Sequence, residues 1–117
     1  MKVTAQPSAD TLTLLLDGEL DASSAIVLDT ELAKPDILNY RKVLVDCAKL
    51  SYISSAGLGV FISHLQRFQD ANVKLVFFNM QEKVFNVFEI LGLDALMTIV
   101  PSAAEAEAAY LIANHHL

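Results

Sequence analysis

Apolar and polar positions alternate along the chain in blocks that predict short strands and amphipathic helices in turn. Residues 2–6 and 11–18 have the composition of strands, and the turn residues 7–10 (Pro-Ser-Ala-Asp) between them favour a hairpin. The second of these strands is largely apolar, which indicates burial on both of its faces.

A helix is predicted for residues 22–34, because its apolar residues recur at helical spacing. These residues are Ala25, Leu28 and Leu32. Asp21 is placed as the N-cap of this helix, and Pro35 ends it. A buried strand at 42–47 comes next, followed by a short polar loop.

The following helix, at about 56–70, has one apolar face that we expect to pack on the core. Its members are Leu58, Phe61, Ile62, Leu65 and Phe68. Residues 73–78 form another strand. Asn79 and Glu82 then have the spacing of a capping box, which predicts a helix through Leu91.

The last part of the chain completes the pattern. Gly92 suits the left-handed position after a helix, a short strand is predicted near 96–100, and Ser102 with Glu105 opens a final helix. The order ββαβαβαβα requires crossover connections. Residues 1–117 are therefore predicted to form one α/β domain, with a mixed, mainly parallel sheet of about five strands and about four helices.

Length and composition suit one soluble domain. The chain has 117 residues, of which 54% are hydrophobic, enough for a substantial core. No apolar run approaches the ~18 residues of a membrane span, and the N-terminus has no apolar signal-peptide core. Cys47 is the only cysteine, which excludes an intrachain disulfide. We expect a cytoplasmic protein.

Several function classes lack their sequence signatures. A net charge of −6 without a basic run weighs against direct nucleic-acid binding. The triplet Ser55-Ala56-Gly57 is not a hydrolase elbow, and His64 lies about 13 Å further along the same predicted helix. His115 and His116 are too few for a metal site, and no glycine loop with lysine is present to hold phosphates. We predict neither an enzyme nor a metal or cofactor site.

Ser54 and Ser55 lie at the predicted start of a helix, after a buried strand. A helix N-terminus has unpaired N–H groups and the positive end of the helix dipole, so it tolerates a phosphate at little structural cost. A serine there can act as a charge switch. Both serines can also be simple helix caps.

Three motifs occur in order along nearly the whole chain. They are Gly18-Glu19-Leu20-Asp21, the segment from Asp46 to Gly59, and Phe88-x-Ile90-x-Gly92-Leu93. Together with the order of elements, they resemble the STAS family of anti-sigma factor antagonists, which are bacterial partner-switching proteins. The second motif is similar to the family's phosphorylation-site segment, in which Ser55 matches the target serine. Ser54 replaces the family's aspartate and is the second choice, while Ala56 replaces its Ser or Thr.

The resemblance implies a phosphorylation switch. An anti-sigma factor with serine kinase activity would bind the unmodified antagonist, which frees a sigma factor, and would lose it after phosphorylating Ser55. A metal-dependent serine/threonine phosphatase would reset the switch. The implied partner surface consists of two segments: Asp21, Ala22, Ser23 and Ser24, and Ser54, Ser55, Ala56 and Gly57.

Two further hypotheses remain at this stage. The chain could be a constitutive STAS scaffold subunit of a stress-signalling or lipid-transport complex, which would need no phosphate. It could also be a nucleotide-binding module of the same family, although no motif in the sequence supports this.

Overall fold

A five-stranded mixed sheet forms the centre of the computed structural model, which describes the backbone of residues 1–115 and the side chains of residues 1–109. The strands are β1 (Lys2–Ser8), β2 (Thr11–Leu20), β3 (Lys42–Ile53), β4 (Lys74–Phe78) and β5 (Thr98–Val100), in that spatial order. β1 and β2 are antiparallel, and each later strand is parallel to its neighbour. This confirms the predicted fold class.

Four α-helices and two short 3-10 helices surround the sheet. The α-helices are α1 (Ala25–Leu32), α2 (Ser55–Asp70), α3 (Glu82–Ile90) and α4 (Ala103–His115), and the 3-10 helices are Pro35–Asn39 and Leu93–Ala95. None of the helices in the described residues is long and apolar enough to cross a membrane. The side chains of His115 and His116 lie outside the described residues.

The core has two layers, one on each face of the sheet. The larger layer lies between the sheet and α1, α2 and α3, and includes a T-shaped pair of rings, Phe61 and Phe77, with centroids 4.8 Å apart. The smaller layer lies on the opposite face, where Ala106 of α4 covers Leu44 and Val76. Because both faces of the sheet are covered here, the apolar runs at residues 43–45 of β3 and 75–78 of β4 are buried, as in other parallel strands.

β3 is longer than the sequence predicts and replaces the expected polar loop. It continues from residue 47 to Ile53 and pairs with β2 as far as Leu20. Residues 48–51 look like a loop because Lys49 and Ser51 interrupt the apolar run. In the structure Cys47 and Leu50 are buried, while Ala48 and Lys49 between them are exposed. Pairing with β2 keeps this segment extended, and no local sequence pattern reveals that pairing.

The ends of the first hairpin and of α1 also differ from prediction. β1 extends to Ser8, so the turn is only Ala9-Asp10. α1 is Ala25–Leu32 rather than 22–34, because residues 22–24 form a separate turn. Pro35 begins a 3-10 helix after α1, in agreement with its predicted role as a stop.

The capping predictions for the later helices have mixed outcomes. Asn79 does not cap α3: the N-cap residue is Gln81, and the Asn79 side-chain amide donates to Asp46 over 3.4 Å instead. Gly92 is left-handed with φ 72°, as predicted. The Ser102 hydroxyl accepts the Glu105 N–H over 3.3 Å at the start of α4, which confirms that cap.

Candidate functional site

β2 and β3 end side by side; β2 leads through a short turn into α1, and β3 leads into α2. Leu20 and Ile53, the last residues of these strands, are register partners, so Asp21 and Ser54 leave the sheet together. The Ser54 N–H donates to the Leu20 carbonyl over 2.8 Å, which ties the two exits to each other. The two predicted partner segments therefore lie next to each other, at the positive ends of two helices.

The two serines at the start of α2 have different roles. Ser54 is the N-cap residue, and its Oγ accepts the Gly57 N–H over 3.3 Å. Ser55 is the first residue of the helix, and it is exposed. Because the Ser54 hydroxyl is engaged in capping, Ser55 presents the accessible hydroxyl at this helix end.

Asp21 caps the turn that precedes α1. Its Oδ1 accepts the Ser23 hydroxyl at 2.7 Å and the backbone N–H groups of Ser23 and Ser24 at 3.0 Å. In return the Asp21 N–H donates to the Ser24 hydroxyl at 3.0 Å. The Ser23 hydroxyl, followed by the Ser24 N–H, lowers the pKa of the Asp21 carboxyl below its ordinary value. Asp21 therefore stays ionised and caps this turn. The prediction that it is the N-cap of the first helix is wrong, because α1 begins later and its N-cap residue is Ser24.

Burial divides the eight residues of the predicted partner surface into two groups. The exposed or half-buried residues are Asp21, Ala22, Ser23, Ser54, Ser55 and Ala56. Ser24 and Gly57 are buried. The Ser24 hydroxyl donates to the Glu19 carbonyl over 2.8 Å, and Gly57 lies against Leu20. Ser24 and Gly57 shape this surface from below, so a partner would contact the other six residues.

Two polar contacts join α1 to α2 one helical turn apart. His64 Nε2 lies 2.8 Å from Asp29 Oδ1, and Arg67 donates to the Leu32 carbonyl over 2.7 Å. In both pairs the α2 residue comes 35 positions after the α1 residue, so the two helices run parallel. Both begin at the edge of the sheet where β2 and β3 end. His64 thus faces α1 and not Ser55, as its position predicts. The partners are 35 residues apart in sequence, and no local pattern signals these contacts.

The described residues hold little other reactive chemistry. Cys47 is 1% exposed. Burial, and to a smaller extent the charge of Asp46, raises the pKa of its thiol to about 12. The thiol is therefore a packed apolar group rather than a nucleophile. Among the described side chains, no group of three His, Cys, Asp or Glu residues could hold a metal ion.

Two exposed isoleucines near this edge are not among the predicted site residues. Ile26 on α1 is 69% exposed and Ile62 on α2 is 44% exposed. The assignment of Ile62 to the core face of its helix is wrong, because Leu58 and Phe61 define a narrower buried stripe. The signal for Ile26 is present in the sequence, since it falls outside the stripe of Ala25, Leu28 and Leu32.

Known proteins resemble this chain over most of its length. The family model described as STAS domain matches residues 2–106. BtrV of Bordetella bronchiseptica is 32% identical over 110 residues, which cover 94% of this chain and 95% of BtrV. The anti-sigma-B factor antagonist of Listeria monocytogenes is 29% identical over 90 residues, covering 77% of this chain and 79% of that protein. The anti-sigma factor antagonist SpoIIAA of Bacillus, in its unphosphorylated form, has the same fold, with a TM-score of 0.71 at 13% identity over 94% of this chain and 97% of SpoIIAA.

Proposed function

Because the chain belongs to the STAS domain family, we propose that it is an anti-sigma factor antagonist controlled by phosphorylation of Ser55. The unmodified chain binds an anti-sigma factor that is also a serine kinase, and a sigma factor is released. Phosphorylation of Ser55 ends this binding, and a metal-dependent serine/threonine phosphatase restores it. The protein acts as a regulator and not as an enzyme.

The different roles of Ser54 and Ser55 carry the proposal. The Ser54 hydroxyl is used to cap α2, whereas Ser55 is exposed beside a second helix N-terminus. A kinase can therefore reach Ser55 without breaking a hydrogen bond of the cap. SpoIIAA, which has a similar fold, is known in a phosphorylated form, and this adds support.

The physical effect of the phosphate differs between the free protein and the complex. Phosphorylation adds roughly −1.5 to −2 charges at neutral pH. At the start of α2 this charge is favourable by ~0.3–1 kcal/mol, so the fold survives. An interface that covers Ser55 would have to bury the charge, which costs several kcal/mol without a matching cation. Since ~1.4 kcal/mol is a tenfold change in affinity, this is enough to end binding.

The test is phosphorylation with purified components. The chain is incubated with ATP and the anti-sigma kinase of its source organism, and the product is analysed by intact mass and peptide mapping. We expect one phosphate on Ser55, retained in Ser54→Ala and lost in Ser55→Ala. The Ser55→Glu variant should bind the kinase at least a hundredfold more weakly than Ser55→Ala. Phosphate on Ser54 would move the site, and stable binding without any phosphate would favour the constitutive scaffold.

A further inference from the structure

Charged side chains are absent from two segments that border Ser55. Residues 22–28 and 50–63 contain no Asp, Glu, Lys or Arg, although the chain has 8 Lys and Arg and 14 Asp and Glu. These segments form the first turns of α1 and α2 and the end of β3. The solvent face of an ordinary surface helix carries charged residues, so the surface around Ser55 differs from an ordinary surface.

Large apolar side chains are exposed within the same two segments. Ile26 is 69% exposed, Tyr52 50%, and Val27 and Ile62 44% each. The other large apolar side chains that are exposed in the described part of the chain lie elsewhere, from the last residue of α3 to the residues before β5: Ile90, Leu91 and Leu96. An exposed apolar area without charges, next to a polar site, is typical of a protein-binding surface.

The contacts between α1 and α2 place Ile26 and Ile62 on one continuous surface. Asp29 is level with His64, so Ile26, one turn earlier, is level with the turn of α2 that contains Gly59. Ile62 lies about 200° around α2 from His64, on the side away from α1. Gly59 is exposed between them, and a Cβ at this position would meet nothing within 4 Å. The outer face of α2 is therefore open between the two isoleucines.

We propose that Ile26 and Ile62 are aliphatic anchors for the anti-sigma factor, which binds across α1 and α2 beside Ser55 through an uncharged, apolar surface of its own. This inference rests on the proposed function. It identifies the occupant because the surface is continuous with the exposed Ser55 end of α2 and, apart from Asp21 at its edge, carries no charge for a charged partner to match. It also explains why one phosphate suffices: the new charge would be buried in a dry interface that offers it no cation.

The test compares alanine variants in binding to the purified anti-sigma kinase. Ile26→Ala and Ile62→Ala should each weaken binding at least tenfold. Ile90→Ala is the matched control, since Ile90 is 81% exposed but lies on α3, and its affinity should stay within twofold of wild type. The thermal unfolding midpoints of all three should match wild type, because these side chains are exposed.

The outcomes separate the inference from the proposed function. Wild-type affinity in both Ile26→Ala and Ile62→Ala, with binding lost in Ser55→Glu, would overturn the anchors and leave the switch in place. Weakened isoleucine variants with normal binding by Ser55→Glu would support the anchors and overturn the switch. A dimer of the chain alone that both isoleucine variants abolish would assign the surface to a second copy and overturn the inference. Failure of the wild-type chain to bind any anti-sigma factor would overturn both.

Discussion

Gly57 lies against Leu20 with no room for a β-carbon. A Cβ on Gly57 would be 2.5 Å from Cγ, 2.9 Å from Cδ2 and 3.1 Å from the carbonyl oxygen of Leu20. Leu20 is fully buried, and the same carbonyl accepts the Ser54 N–H, so Leu20 has little freedom to move away. Glycine at this position allows the start of α2 to meet the end of β2.

Gly57→Ala should therefore destabilise the protein, even though alanine favours a helix over glycine. Overpacking of this kind costs about 1–3 kcal/mol, and urea unfolding monitored by circular dichroism measures it. Gly59→Ala, on the same helix, is the control. A Cβ there meets nothing within 4 Å, so helix propensity should stabilise the fold by about 0.5–1 kcal/mol. If the free energy of unfolding changes in the same direction in Gly57→Ala and Gly59→Ala, the packing explanation is wrong.

The N-cap of α2 provides a second prediction. Ser54→Ala removes the acceptor for the Gly57 N–H and should lower the free energy of unfolding by about 1 kcal/mol. Ser54→Asp keeps an acceptor and adds a favourable charge at the helix N-terminus, so it should retain the stability.

Ser63→Ala is the matched control on the same helix. The exposed Ser63 hydroxyl bonds back to the Val60 carbonyl over 2.7 Å in the helix interior, where serine gives no benefit over alanine. We expect its unfolding free energy to equal that of wild type or to rise slightly. If Ser54→Ala and Ser63→Ala lower the free energy of unfolding equally, the Ser54 cap has no special role in stability.

Local sequence patterns predict the helices, strands and turns that depend on interactions between residues close together in the chain. The helix α2, the run of β4, Pro35 after α1 and the left-handed Gly92 each depend on interactions within a few residues, and each of these predictions is confirmed, apart from the core assignment of Ile62. The end of β3 is different, because Lys49 and Ser51 are polar and look like a loop. Only the ladder with β2, about 30 residues earlier in the chain, keeps this segment extended.

The candidate site, too, is only partly predictable from local sequence patterns. Its two segments are visible as motifs, but their contact depends on the register of Leu20 with Ile53 and on the absence of a side chain at Gly57. Neither fact can be read from one segment alone. The burial of Ser24 also depends on its bond to the Glu19 carbonyl, whereas the sequence shows only a small polar residue in a polar stretch.

The contact between Asp29 and His64 provides a third prediction. His64 is 9% exposed, and its Nδ1 has no hydrogen-bond partner among the described residues, so Asp29 is the acceptor for this ring. Asp29→Ala should lower the free energy of unfolding by about 1–3 kcal/mol, the cost of a buried polar group without a partner.

Two control variants belong with Asp29→Ala in the same urea titration. Asp29→Asn keeps an oxygen acceptor and should lose less stability. Asp36→Ala removes an exposed carboxylate elsewhere and should change stability by no more than about 0.5 kcal/mol. If Asp29→Ala is no less stable than Asp36→Ala, the contact does not contribute to the packing of α1 on α2.

The buried thiol of Cys47 should make the free energy of unfolding depend on pH at high pH. Burial raises the pKa of its thiol from an ordinary 9.0 to about 12 in the folded chain. Below pH 9 the thiol is neutral in both states, and its contribution to stability does not change. Above pH 9 the unfolded chain releases the proton while the folded chain keeps it, so the folded state loses stability as the pH rises towards 12. The slope should approach ~1.4 kcal/mol per pH unit in this window.

The measurement is the difference in unfolding free energy between wild type and Cys47→Ala at pH 7, 8, 9, 10 and 10.5. The cavity left by the variant shifts this difference by a constant amount, and the tyrosines and lysines titrate equally in both proteins. Only the thiol can therefore give the difference a pH dependence. We expect it to be flat up to pH 8 and to move in favour of Cys47→Ala above pH 9. A difference that stays constant to pH 10.5 would mean that the buried thiol ionises as readily in the folded chain as in the unfolded one.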